Sequence, residues 1–332
     1  MIRLAVFGAD GQVCNEIDRR LHGSISLLSA DAISVGTPLA AVDASVFVGS
    51  RTPDPDEMLQ IVSDGKPVLL ANDTVFAMEG LDATLDRESS ESRIAVMNPD
   101  RWLPSRRLIS DELKGTKLGP VGLIRSHRWE ASGSGGVIDS NGLPPGLLRD
   151  LDLVVWLKQA LPNLIFATQA GISESSHGPA ACDKRGLTLS GHAVFEAISM
   201  PSKESDPFCH RLPGPIQVHL GFGDGTMALV GYSGALPDKQ GYQSLSVICA
   251  NGAISADDHS NRQLVFCAGA AQADPSDEGI LSVVSLIQQF VDGLSSAHDF
   301  EAGVMAWRQV RTLAKHVRRS LDSRQAVSWE EH

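Results

Sequence analysis

Along the first third of the chain, apolar residues come in short runs closed by turn-forming residues. The first run is Ile2-Arg3-Leu4-Ala5-Val6-Phe7, closed by Gly8-Ala9-Asp10-Gly11. From 12 to 21 the spacing becomes helical, with Val13, Ile17 and Leu21 on one face. Further strands are predicted at 25–28, 43–49, 66–70 and 94–97, and the apolar centre of 43–49 suits burial on both faces. A helix fits 55–63, with Met58, Leu59 and Val62 inward, and the acidic, serine-rich stretch 86–92 reads as an exposed turn. Strands alternating with helices imply right-handed crossovers and a mostly parallel α/β sheet. The stretch 30–42 is too short for a crossover helix plus another strand, so this first domain, 1–120, is expected to be trimmed on one side.

Beyond it, over 121–332, the pattern changes. Residues 122–129 are strand-like, and 131–146, rich in Gly, Ser and Pro, reads as a loop over a cleft. Residues 147–161 are helical, with Leu148, Leu151, Val155 and Trp156 facing inward. A hairpin is predicted over 216–232, because Gly223-Asp224-Gly225 supplies a turn between two alternating runs, and further strands fall in 243–254 around Asn251-Gly252. The tail is helical over 278–294 and 301–321. Runs of strands followed by helices predict an α+β domain, an open and mostly antiparallel sheet with helices packed on one side. No internal repeat is visible.

Composition narrows the function classes. Hydrophobic residues make up 42% and charged residues 20% of the 332, with a net charge of -12. No run of Lys and Arg forms the basic stripe that displaces phosphate counterions, so nucleic-acid binding is disfavoured. The five cysteines are odd in number and widely spaced, with no CxxC pair, and indicate neither a disulfide framework nor a zinc site. The scattered His192, His210 and His219 have no metal-ligand spacing, so no metal is expected. No apolar run approaches the ~20 residues needed to span a bilayer. The opening strand lacks the basic start and cleavage site of a leader. A cytoplasmic protein is the expectation.

Several pieces, taken in order, resemble one family. They are the opening strand, glycine turn and helix, Asp43 to Pro53 (DASVFVGSRTP), and Gly65-Lys66-Pro67-Val68-Leu69-Leu70. Asn98-Pro99-Asp100-Arg101-Trp102-Leu103-Pro104, Lys117 to Gly122, Asp152 to Leu157 (DLVVWL) and Phe290-Val291-Asp292-Gly293-Leu294 with the following 299–314 continue the series. Together their order and spacing resemble the Gfo/Idh/MocA oxidoreductases. That resemblance implies a Rossmann-like first domain holding NAD or NADP, and a second domain holding a sugar, polyol or related ligand. It also implies a homo-oligomer, dimer or tetramer, formed through the open sheet, with the C-terminal helices packed back on the first domain.

The residues that would serve those roles depart from the family pattern. By resemblance the cofactor would meet Gly8, Asp10, Gly11, Gln12, Val13, Ser29, Gly49, Ser50, Arg51 and Asn72. Reading G-x-G-x-x-G from Gly8 puts Asp10 and Val13 where glycines belong, whereas Gly8, Gly11 and Cys14 give a looser turn that also accepts a phosphate. Asp10 is either a helix cap or part of that phosphate-tolerant turn. Ser29 stands where a ribose-binding acid would be, with no Arg beside it for a 2′-phosphate. Arg51, in the later loop, either approaches a phosphate or is an exposed loop charge. Weak binding of either cofactor is therefore expected.

After its GKHVL strand the family carries Glu-Lys-Pro, and this chain has Ala71-Asn72-Asp73. Asn72 hydrogen-bonds but does not exchange protons near neutral pH. Asp73 either takes over that lysine's acid–base role or caps a helix starting near Thr74. The family's Asp-x-x-x-His aligns with Pro145 and Arg149, and a guanidinium is no base. Arg149 could grip an anionic ligand or pair with Asp150 or Asp152. The family's base would fall to Asp139 or Asp152. Arg125, His127 and Trp129 share one face of their strand, directed either to a ligand or to an interface. Ser132-Gly133-Ser134-Gly135-Gly136 lacks the helix and Lys-Ser/Thr of a phosphate loop and reads as flexible loop. Two functions follow: an oxidoreductase whose usual lysine and histidine are replaced, or a non-catalytic ligand-binding or assembly subunit on the same fold.

Overall fold

A computed structural model describes residues 2–21, 23–29, 42–49, 51, 53, 61, 64–78, 80–81, 85, 93–131, 138–170, 214–236, 241–257, 262–267, 270–275, 280–294 and 298–329. Strands β1 (Ile2–Phe7), β2 (Ile25–Ser29), β3 (Ala44–Gly49), β4 (Val68–Asn72) and β5 (Ile94–Val96) form one parallel sheet in the order β2-β1-β3-β4-β5. These are the runs that the apolar pattern marks, since a parallel strand covered on both faces needs no polar alternation. The β4 strand runs later than the pattern suggests, carrying Ala71 and Asn72 instead of Lys66 and Pro67. Proline lacks the N–H that a ladder requires, which delays the strand until after Pro67. The helix at 55–63, the turn at 86–92 and the trimmed stretch 30–42 fall wholly or mostly outside the described residues.

Helix α1 (Gly11–Arg20) follows β1 and buries Ile17. After β5 come a one-turn 3-10 helix (Pro99–Trp102), helix α2 (Pro104–Lys114), the long strand β6 (Val121–Ala131) and helix α3 (Pro145–Lys158). Pro145 starts α3 two residues before the predicted first residue, because proline is tolerated where the helix needs no donor. The helix ends at Gln159, whose φ of 55° turns the chain left-handed.

The second sheet adds β7 (Leu164–Gln169), β8 (Ile216–Gly221), β9 (Met227–Leu236), β10 (Tyr242–Cys249), β11 (Gly252–Asp257), β12 (Arg262–Cys267), β13 (Ala270–Pro275) and β14 (Val327–Ser328). Its order is β13-β12-β11-β10-β6-β9-β8-β7-β14, antiparallel throughout except for the parallel pair β6 and β9. The predicted hairpin is β8 and β9, turning at Gly223-Asp224-Gly225. The fold is α/β, a Rossmann-like parallel sheet beside a larger, mostly antiparallel one.

The C-terminal helices return to the first sheet. Helix α4 (Ile280–Gly293) puts Val284, Ile287 and Phe290 against Leu4, Val6, Ile17 and Val46 on one face. Helix α5 (His298–Ser323) packs Trp307, Val310 and Leu313 into a core shared with Phe47, Leu70 and Phe76. Gly303 lets α5 touch the edge strand, since a Cβ there would lie 2.3 Å from the Val96 carbonyl oxygen.

Candidate functional site

Parallel α/β sheets bind ligands beyond the carboxyl ends of their strands. Here that place is a cavity of about 260 Å³ lined by Val13, Val48, Gly49, Ala71, Asp73, Pro99, Asp100, Arg149 and, from α4, Ser282 and Leu286. At its floor the turn after β1 locks against the end of β3. Gly8 has φ +82°, and a Cβ on it would stand 2.1 Å from the Val48 carbonyl oxygen. Gly49 has φ +60°, and a Cβ on it would stand 2.8 Å from the Gly8 carbonyl oxygen. Both positions demand glycine for reasons of space as well as torsion.

Asp10 accepts a hydrogen bond from the Val13 N–H at 2.8 Å, which makes it the N-cap of α1. Gly11, Gln12 and Arg51 are exposed and Val13 is half-buried at the cavity edge. Ser29 ends β2, with its side chain outside the described residues, as is all of Ser50. Asn72 is buried at the end of β4, where its amide donates to the Thr74 hydroxyl at 2.8 Å.

Arg149 does reach the junction beside the end of β4, but its partners differ from those the sequence suggests. It donates to Asp73 at 2.9 Å and lies 3.6 Å from Asp100 and 3.7 Å from Glu130, with neither Asp150 nor Asp152 as its partner. Asp150, at i+1, points away from Arg149, and Asp152, at i+3, is instead taken up by Arg101. Asp73 in turn does not cap the short 3-10 helix Val75–Ala77, which has no side-chain cap; it turns outward to Arg149.

Asp152 is buried, accepts from Asn98 at 2.7 Å and is gripped by Arg101 through both oxygens. Asp139 is buried in the loop before α3, where it holds the Leu143 and Asn141 N–H groups and pairs with Arg311 of α5 at 3.3 Å. Neither lines the cavity. Both hold the junction between the two sheets together.

Arg125, His127 and Trp129 face away from α3, and Trp129 is 45% exposed against Tyr242. The opposite face of β6 carries the chemistry, through Ser126, Arg128 and Glu130. Arg128 is buried and bonds Asp150 at 2.8 and 3.1 Å as well as Asp100, while Gln243 also reaches Asp150. Burial pushes the Asp100 carboxyl upward, but Arg128, Arg149 and Arg106 outweigh it and hold it down at about 2. Glu130 accepts from the Tyr232 hydroxyl at 2.9 Å, and burial together with that carboxylate raises the phenol above its usual range. Room for this pair comes from Gly146, where a Cβ would fall 2.3 Å from Glu130 and 2.6 Å from Arg128. The signal for this network was in the sequence. Ser126, Arg128 and Glu130 alternate on one strand face, as do Arg125, His127 and Trp129, and only the packing of α3 tells which face is inside.

This fold, a parallel sheet beside a larger and mostly antiparallel one, is shared with solved dehydrogenases. The myo-inositol dehydrogenase of Corynebacterium glutamicum matches over 100% of both chains, at 16% identity and a TM-score of 0.67. The fold is that of the Gfo/Idh/MocA oxidoreductases. The UDP-N-acetylglucosamine 3-dehydrogenase of Acidithiobacillus ferrooxidans matches over 97% of this chain and 98% of its own, at 15% identity and a TM-score of 0.65. An oxidoreductase of Agrobacterium radiobacter, solved with NAD+, L-tartaric acid and magnesium, matches over 98% of each chain at 11% identity and a TM-score of 0.62. No protein-family model matches the chain, and no curated protein does. Among the described residues no helix is long and apolar enough to cross a membrane, and no cluster of His, Cys, Asp or Glu forms a metal site.

Proposed function

We propose that this chain is an oxidoreductase-like protein that binds a small anionic ligand of the sugar-acid or polyol-derived kind at Arg149. The observation that carries this is the state of Arg149. Its side chain is only 11% exposed and lines the cavity, its Nε has no hydrogen-bond partner among the described residues, and its one short ion pair is to Asp73, itself 52% exposed. A half-exposed carboxylate on a buried guanidinium is a contact that a ligand carboxylate can replace, with bidentate geometry added. The tartrate of the Agrobacterium structure is a ligand of this class.

NAD or NADP fits the turn poorly. Asp10 already uses the Val13 N–H and brings a negative charge to the helix end where a pyrophosphate would lie. By the resemblance of sequence, Asn72 and Arg149 stand where the family's lysine and histidine would move protons, and neither trades a proton near neutral pH. Loss of such groups costs ~10²–10⁴ in rate. The second reading is a working NAD(P)-dependent oxidoreductase acting on a CH–OH group. It is favoured by the fold and by the cavity's place at the strand ends. A division near residue 120, a cytoplasmic location and a homo-oligomer formed through the outer face of the second sheet belong to the same proposal.

Calorimetry with tartrate and gluconate tests it. Binding should weaken about tenfold in Arg149→Gln, the loss of one charge-assisted pair, and should tighten in Asp73→Asn. Equal binding of the neutral polyol inositol, or no effect of Arg149→Gln, would refute the anionic assignment. Turnover of any of these with NAD+ or NADP+ would establish the second reading.

A further inference from the structure

A second cavity, of about 220 Å³, lies on the other side of the Pro99–Trp102 turn. That turn is the wall between the two. Pro99 and Asp100 line the cavity at Arg149, and Arg101 and Trp102 line the other. The two helices alongside divide the same way. On α3, Arg149 faces the first cavity while Asp152 and Trp156 face the second; on α4, Leu286 faces the first and Gln289 the second. The spaces are therefore separate, one helical turn apart.

The chemistry of the second differs from that of the first. Three indoles line it, Trp102, Trp156 and Trp307. The indole N–H of Trp307 is engaged by the Val75 carbonyl at 3.0 Å, which fixes that ring as a wall. Two guanidinium groups lie over the other rings: Arg101 is 5.7 Å from the Trp156 centroid and Arg107 4.7 Å from that of Trp102. Their charges are not equivalent. Arg101 is neutralised by Asp152, which it holds through both oxygens. Arg107 is exposed and makes no ion pair with a described residue within 4.0 Å. The cavity thus has three indoles in its walls and, at its edge, an exposed guanidinium whose nearest acid is Asp111, one helical turn on and beyond ion-pair distance. An apolar cavity of about 150 Å³ is enough to take benzene, so a one- or two-ring molecule is the right size here.

We propose that this second cavity is a binding site for a planar aromatic carboxylate, its ring against the indoles of Trp102 and Trp156 and its carboxylate on Arg107. Ring stacking supplies the contact area, and the guanidinium fork matches a carboxylate. The site is independent of the ligand at Arg149.

Isothermal calorimetry on the whole chain, with indole-3-carboxylate as the probe, decides the matter. Submillimolar binding is expected, about tenfold weaker in Arg107→Gln. Ala306→Phe, which fills the cavity from the half-buried face of α5, should abolish it. Arg149→Gln should leave it unchanged. Arg107 is on the surface, so that variant reads out even if Ala306→Phe fails to fold. No heat up to about 5 mM probe, neutral indole binding as tightly as the carboxylate, or loss of binding in Arg149→Gln would each overturn the proposal.

Discussion

Replacing Arg128 with Met tests whether the ionic seam between the sheets is what holds them in register. Methionine keeps the apolar stem and much of the volume, so the change removes charge more than packing. In the folded protein Arg128 is 8% exposed and serves two carboxylates, Asp100 and Asp150, which are 10% and 0% exposed. Without it both stay buried with a cation removed, and breaking such a pair from one side costs about 3–5 kcal/mol. For a chain of this length that corresponds to a melting midpoint lower by roughly 4–7 °C. Acidity supplies a second signature. In the wild type Asp100 titrates at about 2, below its ordinary 3.8, so its contribution is complete above 3.8 and is lost only as the pH falls through about 2. In Arg128→Met the largest stabilising charge is gone, so burial, now opposed only by Arg149 and Arg106, raises that carboxyl from its wild-type value. The penalty is then full at neutral pH and is relieved as the pH falls through the raised value. Differential scanning calorimetry at pH 7 and pH 5 should therefore show a deficit that shrinks on acidification. A midpoint within about 2 °C of the wild type at pH 7, or a deficit that grows at pH 5, would refute the role of the seam.

Asp10→Gly should bind NAD(H) and NADP(H) several-fold more tightly than the wild type in low-salt calorimetry. At ~4 Å and an effective dielectric near 20, a like-charge pair costs ~4 kcal/mol before relaxation and salt reduce it. Micromolar wild-type affinity, unchanged by the substitution, would mean that the turn is an adapted nucleotide site. Gly8→Ala meets both a left-handed φ and a carbonyl 2.1 Å away, so urea unfolding should show a loss of at least about 2 kcal/mol; wild-type stability would rule out the interlock with β3. The outer face of the second sheet exposes Trp129, Leu164, Met227 and Ile248 at 43–59%. Light scattering should find an oligomer at micromolar concentration and a smaller species for Ile248→Glu, and a monomeric wild type would remove the sheet-pairing proposal.

The sequence by itself determined the elements and their class. The runs at 2–7, 25–28, 43–49 and 94–97 become strands almost residue for residue, because a strand covered on both faces needs an unbroken apolar run and little else. Asp10 was legible as a cap candidate because capping is settled within four residues of chain. What the tertiary structure alone decided was which charges meet. Arg149 finds Asp73, 76 positions away, and Arg128 finds Asp100, 28 positions away, while Asp152 and Asp139 are drawn into Arg101 and Arg311. Pattern and propensity act over a turn or a strand, and they give the same weight to Arg125, His127 and Trp129 as to Ser126, Arg128 and Glu130. Only the packing of α3 against one face of β6 removes water there, and a charge left without water must find an opposite charge.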